Sequence, residues 1–298
     1  MSDLAAPAPS APEDARALAV LRIGTAAVLL VQAAAVGGHL LPFVSDRGIV
    51  QAPINAALVH WGLPSLRWLY PPAAAAGLDE AQVTWSCLGI HMLALSLLLA
   101  GWRTRVSAAS SWLTYLLLKT GGASSAYGAY EFGQIALFYC VALPVGAAAS
   151  VDSLRATAST VDPFTAALSR FVLRAHLSIA YLSSGLAKAA GTQWRDGEAV
   201  WRALMRPSTA PVDFSWLASA PWLPTAMGWS VVAVEIGYVA LAWSRRTRPW
   251  LLGAVFAMHL GIAMTLGLWI FSAVMLVLNA AALAEGPKYR GGKEPARA

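Results

Sequence analysis

The chain has 298 residues, of which 58% are hydrophobic and 12% are charged, and its mean hydropathy is +0.58. This composition is typical of a membrane protein and argues against a soluble globular domain. The formal net charge is +6, but the basic residues are scattered between apolar runs and form no stripe, so the expected partner is the lipid bilayer and not nucleic acid.

Apolar segments follow one another along the chain, and a helix needs about 20 apolar residues to cross the hydrocarbon core. Eight segments approach this length: 16–41, 84–101, 106–120, 132–149, 166–188, 225–243, 249–266 and 268–284. They predict an all-α, polytopic bundle of about eight transmembrane helices. We expect one membrane domain over 16–284, a disordered tail over 1–15 and a basic tail over 285–298.

The N-terminal segment and two clusters of basic residues indicate the orientation in the membrane. The N-terminal "MSDLAAPAPSAPEDARAL" lacks the basic start and cleavage site of a signal peptide, so the first apolar run is expected to stay in the mature protein. Lys and Arg cluster in "SRRTR" (244–248) and "KYRGGKEPAR" (288–297). The positive-inside rule then predicts a multi-pass protein of the cell inner membrane or plasma membrane, with both termini cytoplasmic.

Two long segments, 42–83 and 189–224, fall on the outer side in this topology. Both are rich in Trp and Pro, and tryptophan favours the headgroup region of a bilayer. We therefore expect these segments to lie on the outer membrane face, with "NAALVHWGLPSLRWL" (55–69) as an interfacial helix.

Lys188 lies at the outer end of the fifth apolar segment. Tyr181, Ser184, Gly185 and Lys188 have the spacing i, i+3, i+4, i+7, and therefore share one helix face that is small and polar. This face is expected to turn into the bundle, where a desolvated amine can serve as a general base. The alternative is a boundary lysine whose ammonium reaches the headgroups.

The residues after Lys188 are also candidates for a site. Trp194 and Asp196 are expected to form its lip, and Gly197 allows the chain to turn there.

Glu235 and His259 are ionisable groups inside apolar segments, where each needs a partner or a role. They lie about ten and seven residues below the same boundary, which corresponds to roughly 15 Å and 10 Å. One interpretation is a polar clamp between neighbouring helices. The other is a proton relay or a headgroup-binding pair.

Other chemistry has little support in the sequence. His91 and Cys87 have helical ligand spacing, but a third ligand is not in sight, so no metal site is expected. Phosphate-loop, HExxH and GxSxG motifs are absent from the sequence, which argues against ATP-driven transport, zinc proteolysis and α/β-hydrolase chemistry. Arg22 and Arg174 are interpreted as boundary residues.

Three stretches resemble the HTTM domain, the membrane domain shared by vitamin K-dependent gamma-carboxylase and its bacterial relatives. "AYLSSGLAKAAGTQWRDGEAVWRAL" (180–204) is similar to its G-x-x-K segment, which is followed by W-x-(acid)-G. "LRIGTAAVLL" (21–30) resembles the opening helix, and "HLGIAMTLGLWIFSAVM" (259–275) resembles a late helix. The stand-alone form is similar to bacterial members typified by sporulation-delaying protein B.

The resemblance implies a role for the lysine. In the carboxylase this lysine is the base that deprotonates reduced vitamin K on the lumenal side, and the matching position is Lys188. A second catalytic histidine of the carboxylase has no counterpart here, where Tyr127, Tyr130 and Glu131 occupy the region. The bacterial members imply a secreted peptide and a small accessory protein as partners.

The leading hypothesis is therefore an outward-facing intramembrane cavity with Lys188 as general base and Glu235 and His259 as further catalytic groups. Tyr127, Glu131 and His91 are expected to line it, and a reduced quinone is the cofactor that the resemblance implies. The alternatives are a non-enzymatic channel, carrier or export factor for a toxin peptide or small solute, and a scaffold for a partner protein.

Overall fold

The computed structural model describes residues 11–46, 48–59, 62–123, 127–155, 161–206 and 213–284. Within these ranges the chain forms fourteen α-helices and two 3-10 helices, without a β-strand. The α-helices are α1 (Ala11–Gly37), α2 (Leu41–Val44), α3 (Ala52–Leu58), α4 (Tyr70–Ala75), α5 (Glu80–Ala100), α6 (Thr104–Gly121), α7 (Gly128–Ala142), α8 (Val151–Arg155), α9 (Pro163–Ala190), α10 (Thr192–Arg195), α11 (Glu198–Leu204), α12 (Trp222–Leu241), α13 (Arg248–Leu266) and α14 (Trp269–Leu283). The all-α class is as predicted.

Eight of these helices, α1, α5, α6, α7, α9, α12, α13 and α14, have 15 residues or more, and each coincides with one predicted apolar segment. The largest difference is in α7, which ends at Ala142 and not near residue 149. Pro144 explains this end, because proline disfavours a helical conformation in the residue before it. Helix α1 begins at Ala11 rather than at residue 16, and the predicted tail 285–298 lies outside the described residues, as do residues 1–10.

Four described helices are long and apolar enough to cross a membrane: Glu13–Gly37, Glu80–Ala100, Trp222–Leu241 and Arg248–Leu266. Trp269–Leu283 is a shorter apolar helix. The outer surfaces of the bundle also carry large apolar side chains, and Val31, Leu93 and Ile179 are 61%, 61% and 67% exposed. A surface of this kind is suited to lipid, so the fold is that of a membrane protein.

Helices α1 and α14 pack against each other at the centre of the bundle. Helices α5, α6 and α7 form one flank, and α9, α12 and α13 form the other. The core between them is built from apolar side chains that include Leu21, Leu29, Leu98 and Leu278, all fully buried. Cys87 and Cys140 are buried free thiols on α5 and α7.

Arg22 of α1 is not a boundary residue, because it is fully buried. Its guanidinium donates to the carbonyl oxygens of Leu98 at 2.8 Å and Leu99 at 2.7 Å, where α5 ends. It also donates to Val145 at 3.2 Å and to Ala149 in the turn after α7. A cation is favoured at a helix C-terminus, and here it donates to the carbonyl groups of the last turn of α5.

Arg174 is likewise buried. Its guanidinium donates to the carbonyl oxygen of Ala282 at the end of α14. Arg170, one turn earlier on α9, reaches the carbonyl oxygens of Ala281 and Ala284. Arg22 and Arg174 were predicted to lie at the membrane boundary. Both instead donate to backbone carbonyl groups at helix ends inside the fold.

The predicted interfacial helix over 55–69 is divided in the structure. Helix α3 covers Ala52–Leu58, a 3-10 helix covers Leu66–Leu69, and His60 and Trp61 lie outside the described residues. Trp68, which was predicted to lie at the headgroups, is 57% exposed.

Asp152 of α8 caps helix α6 from a distant part of the chain. Its carboxylate accepts from the backbone N–H of Arg103 at 2.9 Å, and from the N–H and the hydroxyl of Thr104 at 2.7 Å each. Burial alone raises the pKa of Asp152, but the hydrogen bonds from Thr104 and Arg103 lower it below its usual value of 3.8.

Replacing Asp152 by alanine should lower the free energy of unfolding by about 1 kcal/mol near neutral pH, as expected for the loss of a helix cap. Because the pKa is lower in the folded protein, this stabilisation is complete above pH 3.8 and is lost as the pH falls through the folded-state pKa. Unfolding in detergent, followed by circular dichroism across this pH range, measures both effects. A difference between variant and wild type that does not depend on pH would contradict the assignment.

Candidate functional site

Gly185 of α9 sets the geometry of the site. A Cβ atom at this position would lie 2.8 Å from Cγ1 of Ile236 and 3.0 Å from the backbone nitrogen of Ile236 on α12. The two helices can therefore come this close only because residue 185 has no side chain. Since Glu235 precedes Ile236 and Lys188 lies one turn after Gly185, this approach brings the two charged side chains together.

Lys188 forms an ion pair with Glu235. Its Nζ atom donates to Oε1 and Oε2 of Glu235 at 2.8 Å and 2.7 Å, and to Oγ of Ser184 at 2.5 Å. An ammonium has three hydrogens, and these three acceptors use them all. The Lys188 and Glu235 side chains are 20% and 8% exposed, so the pair is largely shielded from solvent.

Trp194 covers the pair from α10, with Nζ of Lys188 5.2 Å from the centre of its ring. This distance allows a cation–π interaction, which adds to the stabilisation of the charged amine. The lysine is thus a partnered group inside the bundle, whereas the sequence suggested a desolvated amine without a named partner.

Replacing Gly185 by alanine should force α9 and α12 apart and weaken the ion pair. We expect a loss of about 1–3 kcal/mol of unfolding free energy, the usual range for overpacking. Gly253→Ala on α13 is the matched control, because a Cβ there would meet nothing within 4 Å. That change should be neutral or slightly stabilising. Equal stability of the two variants in detergent unfolding would show that the close approach is not needed.

The ion pair lies on the wall of a cavity of about 710 Å³. Helix α12 packs mainly against α9 and α13 packs mainly against α14, so α12 and α13 leave a space between them. Helix α11 borders this space through Val200 and Leu204, and Phe132 and Phe271 border it from α7 and α14. The wall is mostly apolar, and the volume is that of a typical small-molecule site.

Tyr181 and His259 form a second polar layer on the same cavity. The hydroxyl of Tyr181 lies 2.9 Å from Nε2 of His259, and Nδ2 of Asn279 donates to that hydroxyl, also at 2.9 Å. The ring of Tyr181 stacks on that of Tyr238, with centroids 4.5 Å apart. Tyr181 precedes Lys188 by seven residues on α9, so this layer is two helical turns away from the ion pair.

Glu235 and His259 thus contact different residues of α9, and each has its own partner there. Of the residues predicted for the site, the structure brings six together around one cavity: Tyr181, Ser184, Lys188, Trp194, Glu235 and His259. Gly185 does not border the cavity and lies at the contact between α9 and α12.

Asp196 has a different place. Its carboxylate accepts from the backbone N–H of Glu198 at 3.0 Å and shapes the turn into α11. Gly197 follows with φ at +84°, a backbone conformation that favours glycine. A Cβ there would lie 2.5 Å from the nitrogen of Thr225, so glycine also lets this turn dock onto α12. Asp196 therefore lies outside the cavity. It shapes the turn between α10, whose Trp194 covers the ion pair, and α11.

His91, Tyr127 and Glu131 lie in the other flank of the bundle. Glu131 pairs with Lys119 at 2.6 Å, and the ring of Tyr127 packs edge-on against Tyr130. Nδ1 of His91 lies 2.8 Å from the Thr114 hydroxyl, and its ring borders a separate cavity of about 50 Å³. The structure does not bring these three residues to the cavity of Lys188.

Sequence reasoning missed Asn279 and the two phenylalanines Phe132 and Phe271. Asn279 is fully buried on α14 and donates to both Tyr181 and the carbonyl oxygen of Met275. A signal was present, since an asparagine inside the apolar run "MLVLNAAAL" needs a hydrogen-bond partner as much as a charged residue does. Phe132 carried no signal that distinguishes it from a core residue. Phe271 lies twelve residues after His259 in the stretch 259–275 that resembles the late helix of the family.

Comparison with known proteins assigns the family. The family model of the HTTM domain matches residues 10–283, which is most of the chain. The chain therefore belongs to the HTTM domain family, as the three stretches around residues 21–30, 180–204 and 259–275 indicated. Searches of curated proteins and of solved structures returned no match.

Proposed function

We propose that this HTTM-domain protein is a membrane enzyme that uses Lys188 as a general base on a secreted peptide or a membrane quinol. The observation that carries the proposal is the Lys188–Glu235 pair, which lies on the wall of a cavity large enough for a small molecule or a peptide side chain. Ionisable groups are costly at membrane depth, so a retained pair on a cavity wall is suited to chemistry.

The eight long helices are proposed to be eight transmembrane spans, with both termini cytoplasmic, in the cell inner membrane or plasma membrane. The four apolar helices support the membrane assignment directly. The basic segment 244–248 follows α12 and includes the first residue of α13, at the end of α12 that is far from Trp194. The positive-inside rule then puts Lys188 on the outer side, where a secreted peptide would reach it.

The paired state suggests how the base would work. While Nζ donates three hydrogen bonds it has no lone pair, so one proton must first move from Nζ to the Glu235 carboxylate along the 2.7 Å bond. The free amine then takes a proton from the substrate and becomes an ammonium beside the new anion. Glu235 holds the displaced proton during this step, and Ser184 keeps the amine in place.

A reduced quinone fits the site by size and by polarity. The wall is mostly apolar, while the pair and the His259 ring offer polar contacts to its oxygens. When bound, the quinol would supply an acidic hydroxyl. Lys188 would take that proton, and Trp194 would shield the pair from water.

The experiment must separate an enzyme from a carrier. Purified protein in lipid vesicles is incubated with the peptides that the same cells secrete, with and without a reduced quinone, and the peptides are analysed by intact mass. A covalent mass shift that depends on the protein is the expected result. Passage of unmodified peptide into the vesicles, with no mass shift, would contradict the proposal and favour an export factor.

A further inference from the structure

A cavity of about 420 Å³ lies at the other end of the bundle from Lys188. It is bordered by the first turn of α6, by the segment 143–147 after α7, and by Val161, which comes just before α9. Helix α9 has 28 residues and is therefore roughly 42 Å long, and Lys188 lies near its far end. The cavity is thus separate from the candidate site.

Arg103 and Arg105 border this cavity, and both side chains are exposed. Among the described residues, neither guanidinium forms a hydrogen bond or an ion pair. The guanidinium of Arg103 lies 5.3 Å from the centre of the Trp102 ring. A guanidinium offers paired N–H donors that match the oxygens of a phosphate, so the two arginines leave donors open for an anion.

The other charges around the cavity also favour an anion. Of the described residues that border it, Asp152 carries the only carboxylate, and this group already accepts three hydrogen bonds from the start of α6. Arg155 adds a positive charge close to Asp152. Buried Arg22 donates to the carbonyl oxygen of Val145 in the cavity wall, and its hydrogen bonds within the described ranges all go to backbone carbonyl oxygens. Four arginines therefore surround one carboxylate.

The cavity also has an apolar part, which indicates what kind of anion it would bind. Leu143, Pro144 and Val161 line it, and Val106 beside them is 62% exposed. Leu154, on α8 with Asp152, is 86% exposed. A soluble phosphate has no apolar surface to place against these side chains, whereas the glycerol and acyl carbons of a phospholipid do. The cavity lies at the ends of the long helices, which is the depth of lipid headgroups.

We propose that this cavity binds the headgroup phosphate of an anionic phospholipid, with the guanidinium groups of Arg103 and Arg105 as donors. The proposed topology puts the cavity in the cytoplasmic leaflet, where anionic lipids attract basic groups. Only this choice of leaflet rests on the proposed topology. Lipid binding itself requires neither Lys188 nor its cavity.

Native mass spectrometry of the full chain in detergent, titrated with phosphatidylglycerol, tests the proposal by counting the lipids that each chain holds. We expect Arg103→Gln/Arg105→Gln to bind the first phosphatidylglycerol at least tenfold more weakly than wild type, the change expected for two hydrogen bonds to a charged group. Phosphatidylcholine, which has no net charge, should bind wild type more weakly than phosphatidylglycerol. Equal phosphatidylglycerol affinity of wild type and this double variant would overturn the proposal.

Arg245→Gln/Arg246→Gln is the matched control. These two arginines are also exposed and lie on the same side in the proposed topology, but they do not border the cavity. The control has the same net charge as the test variant and should keep the wild-type affinity. An equal loss of affinity in both double variants would overturn the proposal, because it would show attraction to surface charge in general.

A single variant guards against a loss of folding. Arg105→Gln leaves the contact between Arg103 and Trp102 in place, and it should unfold in detergent like wild type. Its phosphatidylglycerol affinity should be at least about threefold lower, as expected for one hydrogen bond to a charged group. Unchanged affinity in this stably folded variant would mean that Arg105 is not a donor to the lipid and would contradict the proposal.

Inorganic phosphate distinguishes a lipid from a soluble anion. Titrated calorimetrically into wild type in detergent, it should give no binding heat at concentrations where phosphatidylglycerol binds. Phosphate binding that is lost in Arg103→Gln/Arg105→Gln would overturn the assignment to a lipid. The peptide mass assay takes no part in these measurements, so the failure of this proposal and the failure of the general-base proposal are observed separately.

Discussion

Replacing Lys188 by arginine is expected to lower turnover by about a hundredfold or more, the usual contribution of general-base catalysis. Arginine keeps the positive charge next to Glu235 and can still donate to both carboxylate oxygens, but its guanidinium does not lose a proton in proteins. The variant should therefore fold and reach the membrane. The peptide mass assay in vesicles gives the rate, and detergent unfolding gives the stability.

Lys119→Arg is the matched control for this variant. Lys119 is also a lysine in an ion pair, 2.6 Å from Glu131, but it lies in the other flank of the bundle. Its replacement should leave turnover close to that of wild type, since Lys119 does not border the cavity of Lys188. If Lys188→Arg kept full turnover, Lys188 would be a structural cation and not a base.

The largest expected loss of stability follows from replacing Arg22 by methionine. Methionine fills similar space, but it removes the guanidinium donor from the carbonyl oxygens of Leu99, Val145 and Ala149. The carbonyl oxygen of Leu98 keeps the backbone N–H of Gly101. Each carbonyl group left without a donor costs about 1–3 kcal/mol. We expect the free energy of unfolding to fall by at least about 3 kcal/mol, as measured by denaturation in mixed detergent micelles.

Arg202→Met provides the comparison for Arg22→Met. The Arg202 side chain is 68% exposed and forms an i, i+4 pair with Glu198. A change of less than about 0.5 kcal/mol is expected there. Similar losses for both arginine variants would mean that the buried carbonyl groups of α5 find other donors, and that Arg22 is not their cap.

The long helices were predictable from the sequence because each one is an apolar run, and apolar runs of this length have few other stable forms. The inward face of α9 was also predictable, since the spacing from Tyr181 to Lys188 depends only on helix geometry. What the spacing could not give was the partner of Lys188. That partner depends on where α12 crosses α9, and the crossing is set by the contact between Gly185 and Ile236.

Three further residues were assigned to the site without a sequence signal for their position around the bundle. Tyr127 and Glu131 were assigned because they occupy the region of the carboxylase histidine, and His91 because it is an ionisable group in an apolar segment. The structure has all three on the opposite flank. Arg22 was read as a boundary residue because its partners are backbone carbonyl groups more than 70 residues away, which no local pattern reveals.

Chemical rescue tests the central claim most directly. Lys188→Ala removes the amine next to a cavity that small molecules can enter, so added methylamine can take its place beside Glu235. The account predicts that Lys188→Ala forms no modified peptide alone and that turnover returns in proportion to the concentration of free methylamine. Full turnover of Lys188→Ala without any amine would contradict it.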